Sequence, residues 1–475
     1  MNNLLSCKQT IKMKNKFNLS LIAVLMAGTS ALTSCSKDND DVEEPIVDVA
    51  VEAKLSDSFF DKVAYKGAMG TVDWTTGWTS FTPNANVYGA TTETLGPGII
   101  TANRTLDASK VYLLSGFVYV ASGVTLTIPA GTVIRGDQAS KATLVVVRGG
   151  KLIAEGTATN PIIFTSNKAV GQRGNGDWGG IILLGKSTNN NPGGVGKIEG
   201  GIDAAQADHG GKDVADNSGI LKYVRIEFPG IAYVQDNEIN GLTLGSVGSG
   251  TTLDYIQVSN SGDDSFEWFG GTVNAKHLIS INNVDDIFDF DNGFSGRLQF
   301  VIGQRSPVFA DAAGQSNGIE SDNSNTEFSS TPRTRPVISN MTIIGPSTPG
   351  SVVDVKHQNA NLWRKGSKMV LANSIFIGAK WGIDIRDVET GAALTDGTSL
   401  IKNNIYQVAD ATKEVIVSNN SFATADLLRT YLTTNGNTFI AEAAAGALLT
   451  TPYTLIATPN FTLATGSAAA TGATF

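Results

Sequence analysis

Closely spaced carboxylates recur in the middle of the sequence. Asp263-Asp264 is followed by Glu267, and the same arrangement returns as Asp285-Asp286 followed by Asp289. The other candidate acids in this part of the chain are Asp291, Glu320, Asp322, Asp354 and Asp384. Several carboxylates in one place can bind Ca²⁺, which takes oxygen ligands in flexible geometry. Two carboxylates in different environments can also act as a general acid and a general base.

Short strands must position these acids. In each repeat the acid follows an apolar residue that strand alternation places inside the protein, namely Phe266, Phe288, Ile319, Val353 and Ile383. The next residue should then face solvent, which predicts one column of Glu267, Asp289, Glu320, Asp354 and Asp384. Two positions further on, a parallel outer column should contain Phe269, Asp291, Asp322, Lys356 and Arg386.

Such a column needs something to offset its charge. Carboxylates about 5 Å apart repel by roughly 3 kcal/mol at an effective dielectric of about 20. Bound Ca²⁺ is the preferred explanation, with ligands drawn from Asp263, Asp264, Glu267, Asp285, Asp286, Asp289, Asp291, Glu320, Asp322, Asp354 and Asp384. The alternatives are a solvated acidic face countered by basic neighbours such as Lys276, carboxyl pKa values raised by their surroundings, or a catalytic carboxylate set. The side chains expected to contact a ligand are Phe269, Phe294, Arg297, Lys356 and Arg386.

Strand-like segments repeat along the chain. Val258-Ser259-Asn260 is echoed by Ser280-Ile281-Asn282 at the same interval that separates Glu267 from Asp289, and later copies are spaced more widely. Short strands, a short period and variable loops predict an all-β fold, a right-handed parallel β-helix in which each coil stacks on the next. A β-propeller would need a longer four-strand period, and a β-sandwich has no fixed period.

Other segments should complete the solenoid. Thr424 can cap a helix over residues 424–432, which would cover the last coil. The Gly-, Asn- and Asp-rich segments 189–201 and 203–217 should form loops that wall a groove over one sheet.

The N-terminal residues predict export. Four lysines precede the apolar run 19–26, and Leu32-Thr33-Ser34-Cys35 then resembles the lipobox of bacterial lipoproteins. We therefore predict a lipoprotein signal peptide over residues 1–34, lipidation of Cys35 and an acidic linker over 35–57. The acidic run at 36–41 resembles the export signal of Bacteroidetes-type surface lipoproteins, which implies an outer-membrane protein that faces the cell exterior. Residues 58–106, with Trp74 and Trp78, should cap the N-terminal end of a β-helix over 107–475.

Composition excludes several functions. Removal of residues 1–34, which hold four Lys and no acid, lowers the net charge of −9 by four, to −13, and this argues against a nucleic-acid partner. The only cysteines are Cys7 and Cys35, so the exported chain would have no disulfide. With three histidines, a His-rich zinc site is not expected. We expect a monomer.

Two resemblances bear on function. Gly262-Asp263-Asp264-Ser265 resembles an element of the polygalacturonases, glycoside hydrolase family 28, in which paired aspartates carry the acid and base work. The Gly-His-Gly element of that family is absent from this sequence. The segments 60–68, 177–181, 265–273, 289–294 and 317–323 resemble a family of Bacteroidetes surface lipoproteins. That resemblance implies a β-helix and an envelope location.

The sequence therefore predicts a surface lipoprotein that binds an extended ligand, either a glycan or an outer-membrane receptor partner, with structural Ca²⁺. A polysaccharide lyase or glycoside hydrolase that acts on an acidic polysaccharide is the alternative, and a structural or adhesive stalk is a third. A catalytic site predicts a groove in which two or three acids and an Arg or Lys converge. A binding site predicts exposed aromatic side chains beside the groove, and a stalk predicts neither.

Overall fold

The computed structural model describes residues 52–234, 237–453 and 459–475. The predicted signal peptide, Cys35 and nearly all of the acidic linker lie outside these residues. All elements described below belong to the unit Val47–Phe475.

The described chain winds through short strands joined by turns, which the alternating apolar residues and glycine-rich corners favour. The strands before the first long insertion are β1 (Glu93–Leu95), β2 (Gly98–Ile100), β3 (Arg104–Thr105), β4 (Val111–Leu114), β5 (Phe117–Val120), β6 (Thr125–Ile128), β7 (Val133–Gly136), β8 (Thr143–Val146), β9 (Lys151–Glu155), β10 (Ile162–Ser166) and β11 (Ile181–Leu184). The next strands are β12 (Gly196–Lys197), β13 (Asp208–His209), β14 (Gly219–Glu227), β15 (Ala232–Val234), β16 (Asn237–Glu238), β17 (Leu242–Val247), β18 (Thr252–Ser259), β19 (Phe266–Gly271), β20 (Asn274–Ile281), β21 (Phe288–Asp291) and β22 (Arg297–Gln304).

The strands continue to the C-terminus as β23 (Ile319–Asp322), β24 (Val337–Ile344), β25 (Asn359–Arg364), β26 (Val370–Ala372), β27 (Ile375–Ala379), β28 (Trp381–Arg386), β29 (Leu400–Lys402), β30 (Ile405–Val408), β31 (Val415–Ser418), β32 (Thr438–Phe439), β33 (Leu449–Thr451) and β34 (Asn460–Leu463). The helices are α1 (Val388–Thr395), α2 (Ala425–Thr434) and α3 (Glu442–Ala445), and short 3₁₀ helices cover Pro83–Ala85, Pro192–Gly194 and Ala411–Lys413.

Two parallel sheets run through the described residues and confirm the predicted β-helix. Sheet A has 17 strands, and sheet B has 11, namely β2, β5, β8, β11, β17, β19, β21, β23, β25, β28 and β31. Strands one coil apart pair in parallel, so that Val258 lies opposite Ser280 and Glu267 lies opposite Asp289. The repeat seen in the sequence is therefore one coil of the solenoid.

Five long strands of sheet A bend at one residue with a left-handed backbone. These residues are Tyr223, Tyr255, His277, Phe300 and Asn340, with φ between 49° and 58°. The bends turn one strand into two sides of a coil. The aromatic rings stack along the axis, with centroids 4.4 Å apart for Tyr223 and Tyr255 and 4.1 Å apart for Tyr255 and His277. This stacking offsets part of the cost of a positive φ outside glycine.

One apolar core fills the solenoid. Phe266 stacks on Phe288 at 5.4 Å, and Trp268 lies 4.9 Å from Phe290 and 5.4 Å from Phe294. Phe294 was expected at the surface as a ligand contact, and that prediction is wrong, because its ring is fully buried in this stack.

The last coil is covered by α2, as predicted. Its Leu428 and Leu432 belong to the same apolar core as the coils. Thr424 caps α2 by accepting a hydrogen bond from Leu427 N.

Residues 52–91 form a strap along sheet A. The side-chain amides of Gln257 and Gln299 each exchange two hydrogen bonds with the strap backbone, at Ser80 and Asp61 respectively. Tyr88 donates to Glu227 farther along the sheet. The predicted cap over 58–106 is therefore wrong in two respects. Its first part lies along the side of several coils, and β1 to β3 already pair in parallel with β4, β5 and β6.

The C-terminal residues lie beside the strap. Ala469 O accepts a hydrogen bond from Lys66 N, and Gly70 O accepts one from Leu463 N. Gln304, at the end of β22, donates to Pro452 O. Together the strap and the C-terminal residues cover much of sheet A, which leaves sheet B as the sheet available for a ligand. None of the described helices is long and apolar enough to cross a membrane.

Candidate functional site

Sheet B carries the predicted acidic column. Glu267 pairs with Asp289, and Asp289 pairs with Glu320, so the alternation argument placed these three correctly. Asp354 is not in the column. The strand of its coil is β25, where Leu362 lies opposite Glu320 on one side and Asp384 on the other. The apolar run around Val352 and Val355 suggested a strand, but both side chains are exposed in a loop.

The second column also differs from the prediction, because one of its residues comes from a different strand. Phe269 pairs with Asp291 as predicted, and Asp322 then pairs with Arg364. Lys356 was expected at this position, but it lies in the loop before β25. Arg364 was missed because the strand was placed too early, although Leu362-Trp363-Arg364 has the right alternation.

Three of the acids in the two columns are buried and three are half-buried, so they do not face solvent as predicted. The exposed fraction is 7% for Glu267, 4% for Asp322 and 2% for Asp384. Segment 185–218, here called the insertion, lies over the part of sheet B that contains β17 and β19. Its Asn189 donates to Ser246 Oγ at 2.9 Å, and its Asn190 donates to Asn323 O at 2.8 Å. The insertion therefore packs on sheet B, but none of its residues is among those that line the acidic groove described next.

An open groove of about 500 Å³ remains above the acidic column. Five carboxylates, two cations and two amides line it, namely Asp264, Asp285, Asp286, Asp289, Glu320, Lys356, Arg364, Gln315 and Gln358. Ala313 and Gly314 complete the wall. No aromatic side chain is among these described lining residues.

Burial raises the pKa of the carboxyls in the groove. Asp264, Asp285, Asp289 and Glu320 all have pKa values well above the usual range, because desolvation disfavours the charged form and the neighbouring acids add to the effect. Asp286 reaches a pKa of about 7 for the same reasons, with Arg305 opposing the rise. A bound proton or a bound cation would therefore relieve the repulsion among these groups.

Three basic side chains offset part of this charge. Arg364 forms ion pairs with Glu320 and, at 2.7 Å, with Asp322, and Lys365 Nζ lies 2.7 Å from the other Asp322 oxygen. Beneath the groove, Arg305 is 2% exposed and lies 3.9 Å from Asp286. Lys356 forms no ion pair with any described residue. It is thus the lining cation that is free to meet a ligand.

The donor set fits a hard divalent cation. Asp263, Asp264 and Asp285 have carboxylate oxygens within 4.8 Å of one another, and so do Asp264, Glu267 and Asp289. One oxygen each of Asp285 and Asp289 is buried without a hydrogen-bond partner. Asn240 donates to Glu267, and its own buried amide oxygen has no partner. All these ligands are oxygens, which Ca²⁺ prefers.

The other predicted residues lie in different surroundings. Arg386 pairs with Asp384 at 2.8 Å and donates to Gln315 of the groove wall at 3.3 Å. Phe269 is half-buried and packs against an apolar cluster that includes Ile198 of the insertion. Its ring centroid lies 6.5 Å from that of His209. Arg297 is not at the site, because it belongs to sheet A and binds Asp57 of the strap.

Sequence reasoning also missed contributions from outside the repeats. Glu199 of the insertion helps to raise the pKa of Glu267, after desolvation. Arg305 and Asn240 stand just after and just before strands, where no periodic pattern marks them. Their roles depend on which loop folds back over which coil.

The fold and the site together define a parallel β-helix with an acidic groove on one sheet. The family model described as "Pectate-lyase like beta helix domain" matches residues 98–448, so the chain belongs to this family. No curated protein sequence matches the chain. Among solved structures it is similar to that titled "Crystal structure of alginate lyase from Paenibacillus sp. str. FPU-7", with 15% identity, a TM-score of 0.25, and coverage of 69% of this chain and 80% of the other. A TM-score this low carries no argument.

Proposed function

We propose that this protein cleaves an acidic polysaccharide in the groove of sheet B, by β-elimination assisted by a divalent cation. The observation that carries the proposal is the convergence of five carboxylates with Lys356 and Arg364 in one open groove. Membership of a pectate-lyase-like family agrees with it. The aromatic side chains that a pure binding site would need are not among the described lining residues, so cleavage is favoured over binding alone.

A cation could be held by the oxygens of Asp263, Asp264 and Asp285 or by those of Asp264, Glu267 and Asp289. A bound Ca²⁺ would neutralise the carboxylate of a uronate sugar and make the neighbouring C–H bond more acidic. This also explains how an acidic groove can accept an acidic polymer.

In the elimination, the C–H bond beside the uronate carboxylate breaks, a C=C bond forms, and the C–O bond to the leaving sugar breaks. Lys356 is our candidate for the proton acceptor, because no described acid holds it. Arg364 is not suited to that role. Burial alone would lower its pKa, but Glu320 and Asp322 outweigh burial and raise it above the ordinary value. A carboxyl that keeps its proton, such as Asp286, can protonate the leaving oxygen.

Glycoside hydrolysis is the second candidate, and one observation favours it. Oxygens of Asp264, Glu267 and Asp289 lie within 4.8 Å of one another, and burial raises the pKa of all three carboxyls. Retaining glycosidases use two carboxyls about 5 Å apart.

Product analysis with polygalacturonate and alginate separates these candidates. Elimination gives unsaturated products that absorb in the ultraviolet, whereas hydrolysis gives saturated reducing ends. We expect Lys356→Ala to lower the rate at least about a hundredfold, as expected for loss of a proton-transfer group. Lys151→Ala, an exposed lysine on sheet A, should retain full activity. Wild-type rates in Lys356→Ala would refute the assignment of Lys356.

We also propose that Cys35 carries a lipid that anchors the protein in the outer membrane, facing the cell exterior. The lipobox-like residues 32–35 and the acidic run after them support this. Fractionation of cells that express wild type or Cys35→Ser tests it. Wild type should sediment with membranes and be open to added protease, and equal sedimentation of Cys35→Ser would contradict the proposal.

A further inference from the structure

A second cavity of about 340 Å³ lies where the strap meets the corner between sheets A and B. Phe81 of the strap, Phe228 and Phe309 form its apolar walls. The segment between β22 and β23 contributes to both cavities, since Phe309 lines this one and Ala313, Gly314 and Gln315 wall the acidic groove. The two cavities have no lining residue in common.

Among its described lining residues, this second cavity has no charged side chain that is available to a ligand. No carboxylate is among its described lining residues, and Arg173 is its one cation. The Arg173 guanidinium donates to Pro83 O and Asn86 O at 3.0 Å and to Lys168 O at 3.3 Å, and it stacks on the Tyr88 ring. A ligand for this cavity is therefore not selected by charge, which excludes the uronate chemistry of the acidic groove.

Two amide side chains face the cavity with unused hydrogen-bonding capacity. Asn260 and Asn282 hold matching positions one coil apart, both with a left-handed backbone. Neither side chain forms a hydrogen bond with another described residue, and Asn282 Oδ1 is buried without a partner. Buried amide oxygens are normally satisfied, so Asn282 Oδ1 needs a donor from a ligand or from water. The half-buried Asn260 amide beside it can pair with the same ligand. Phe309 is 39% exposed, which leaves part of its ring free for contact.

We propose that this cavity binds an uncharged sugar ring of a glycan. A pyranose presents C–H groups on its face, which pack on an aromatic ring, and hydroxyls at its edge, which pair with amides. The volume lies at the lower end of the usual range for ligand sites, and an apolar wall with a few fixed polar groups is their common composition. This site does not depend on the activity proposed above, and it would hold a glycan whether or not the acidic groove cleaves one.

Calorimetric titration of the full chain with cellohexaose, xylohexaose and mannohexaose tests the proposal. A chelator in the buffer removes any cation from the acidic groove. We expect wild type to bind at least one of these neutral probes and Phe309→Ala to bind it about tenfold more weakly, because aromatic contacts contribute up to about that factor. Asn260→Ala should weaken binding as well.

Two controls make the result decisive. Val308→Ala removes an apolar side chain that is 65% exposed, next to Phe309 but outside the cavity lining, and should bind like wild type. Glu267→Gln alters only the acidic groove and should also leave binding unchanged. The proposal is overturned if none of the three probes binds wild type, if Phe309→Ala binds as tightly as wild type, or if Glu267→Gln abolishes binding.

Discussion

At the level of single residues, Glu267 and Asp289 illustrate the cost of burying carboxyl groups close together. They lie opposite each other on adjacent coils. Desolvation raises the pKa of each most, and neighbouring acids raise it as well. A buried carboxylate oxygen without a partner is costly, and one oxygen of Asp289 is in that position among the described residues. A cation shared by these oxygens would remove both the repulsion and the missing partner.

Calcium should therefore stabilise the wild-type protein. Ligand that binds only the folded state adds about 2.7 kcal/mol to the free energy of unfolding at a hundredfold excess over the Kd. We expect the double variant Glu267→Gln with Asp289→Asn to lose this gain in urea titrations with and without Ca²⁺. Without Ca²⁺ the variant should be at least as stable as wild type, because two repelling charges have gone.

The matched control replaces Glu93 and Glu155, two exposed acids of sheet A, with Gln. It should keep the full response to Ca²⁺. An equal response in the Glu267/Asp289 variant, or no response in wild type, would show that the carboxylates are not a cation site.

The sequence was sufficient for some of these residues and not for others. Alternation and the regular repeat placed Glu267, Asp289 and Glu320 in one column, because these depend only on local strand geometry. Exposure could not be deduced in the same way. The insertion that buries Glu267 and the loop that brings Lys356 to the groove fold over the sheet through contacts distant in sequence.

At the level of elements, the insertion is held on sheet B in part through a buried histidine. His209 Nδ1 and Ser246 Oγ are 2.9 Å apart, and the His209 ring is 1% exposed. Burial lowers the pKa of His209 from 6.5 to about 4, with Asp208 opposing the change and Arg148 adding to it. The ring is therefore neutral in the folded protein at neutral pH.

This contact predicts that acid loosens the insertion. As pH falls from 6.5 towards about 4, the unfolded chain binds a proton at His209 that the folded chain excludes. The contribution of His209 to the free energy of unfolding then falls with pH over that window, whereas the groove carboxyls with raised pKa values contribute in the opposite direction. We expect hydrogen exchange of residues 196–209 to speed up there before the coils themselves open, since the insertion lies outside the solenoid.

His209→Gln provides the comparison, because Gln can still bond to Ser246 but does not titrate. Its exchange in residues 196–209 should depend less on pH than that of wild type. The same pH dependence in both proteins would show that His209 does not control the insertion. His357, whose pKa is lowered to about 3, contributes equally to both and cancels.

The strap illustrates which elements a sequence pattern misses. Coils were predictable because each repeats its neighbour, and α2 was predictable from its cap at Thr424 and its spacing of Leu428 and Leu432. Residues 52–91 have no period and no regular strand before β1. Their position is set by side chains such as Gln257 and Gln299, which bond to the strap backbone from distant coils.

At the scale of the whole molecule, the two sheets have different surroundings. Sheet A is covered by the strap and by the described C-terminal residues, while sheet B carries the acidic groove. The predicted stalk would need neither a groove nor buried acids, so this asymmetry favours an active or binding surface. Membership of the pectate-lyase-like family explains the coils, and the residues of the groove must explain the activity.

The most direct test is to follow ultraviolet absorbance while wild type acts on uronate polymers with Ca²⁺, with a chelator, and with Ca²⁺ restored. The proposed function predicts unsaturated products with Ca²⁺, none after chelation, and recovery when Ca²⁺ returns. The Glu267→Gln, Asp289→Asn variant should stay inactive throughout. Formation of saturated products, an unchanged rate after chelation, or no cleavage of any uronate polymer would contradict a cation-assisted elimination in this groove.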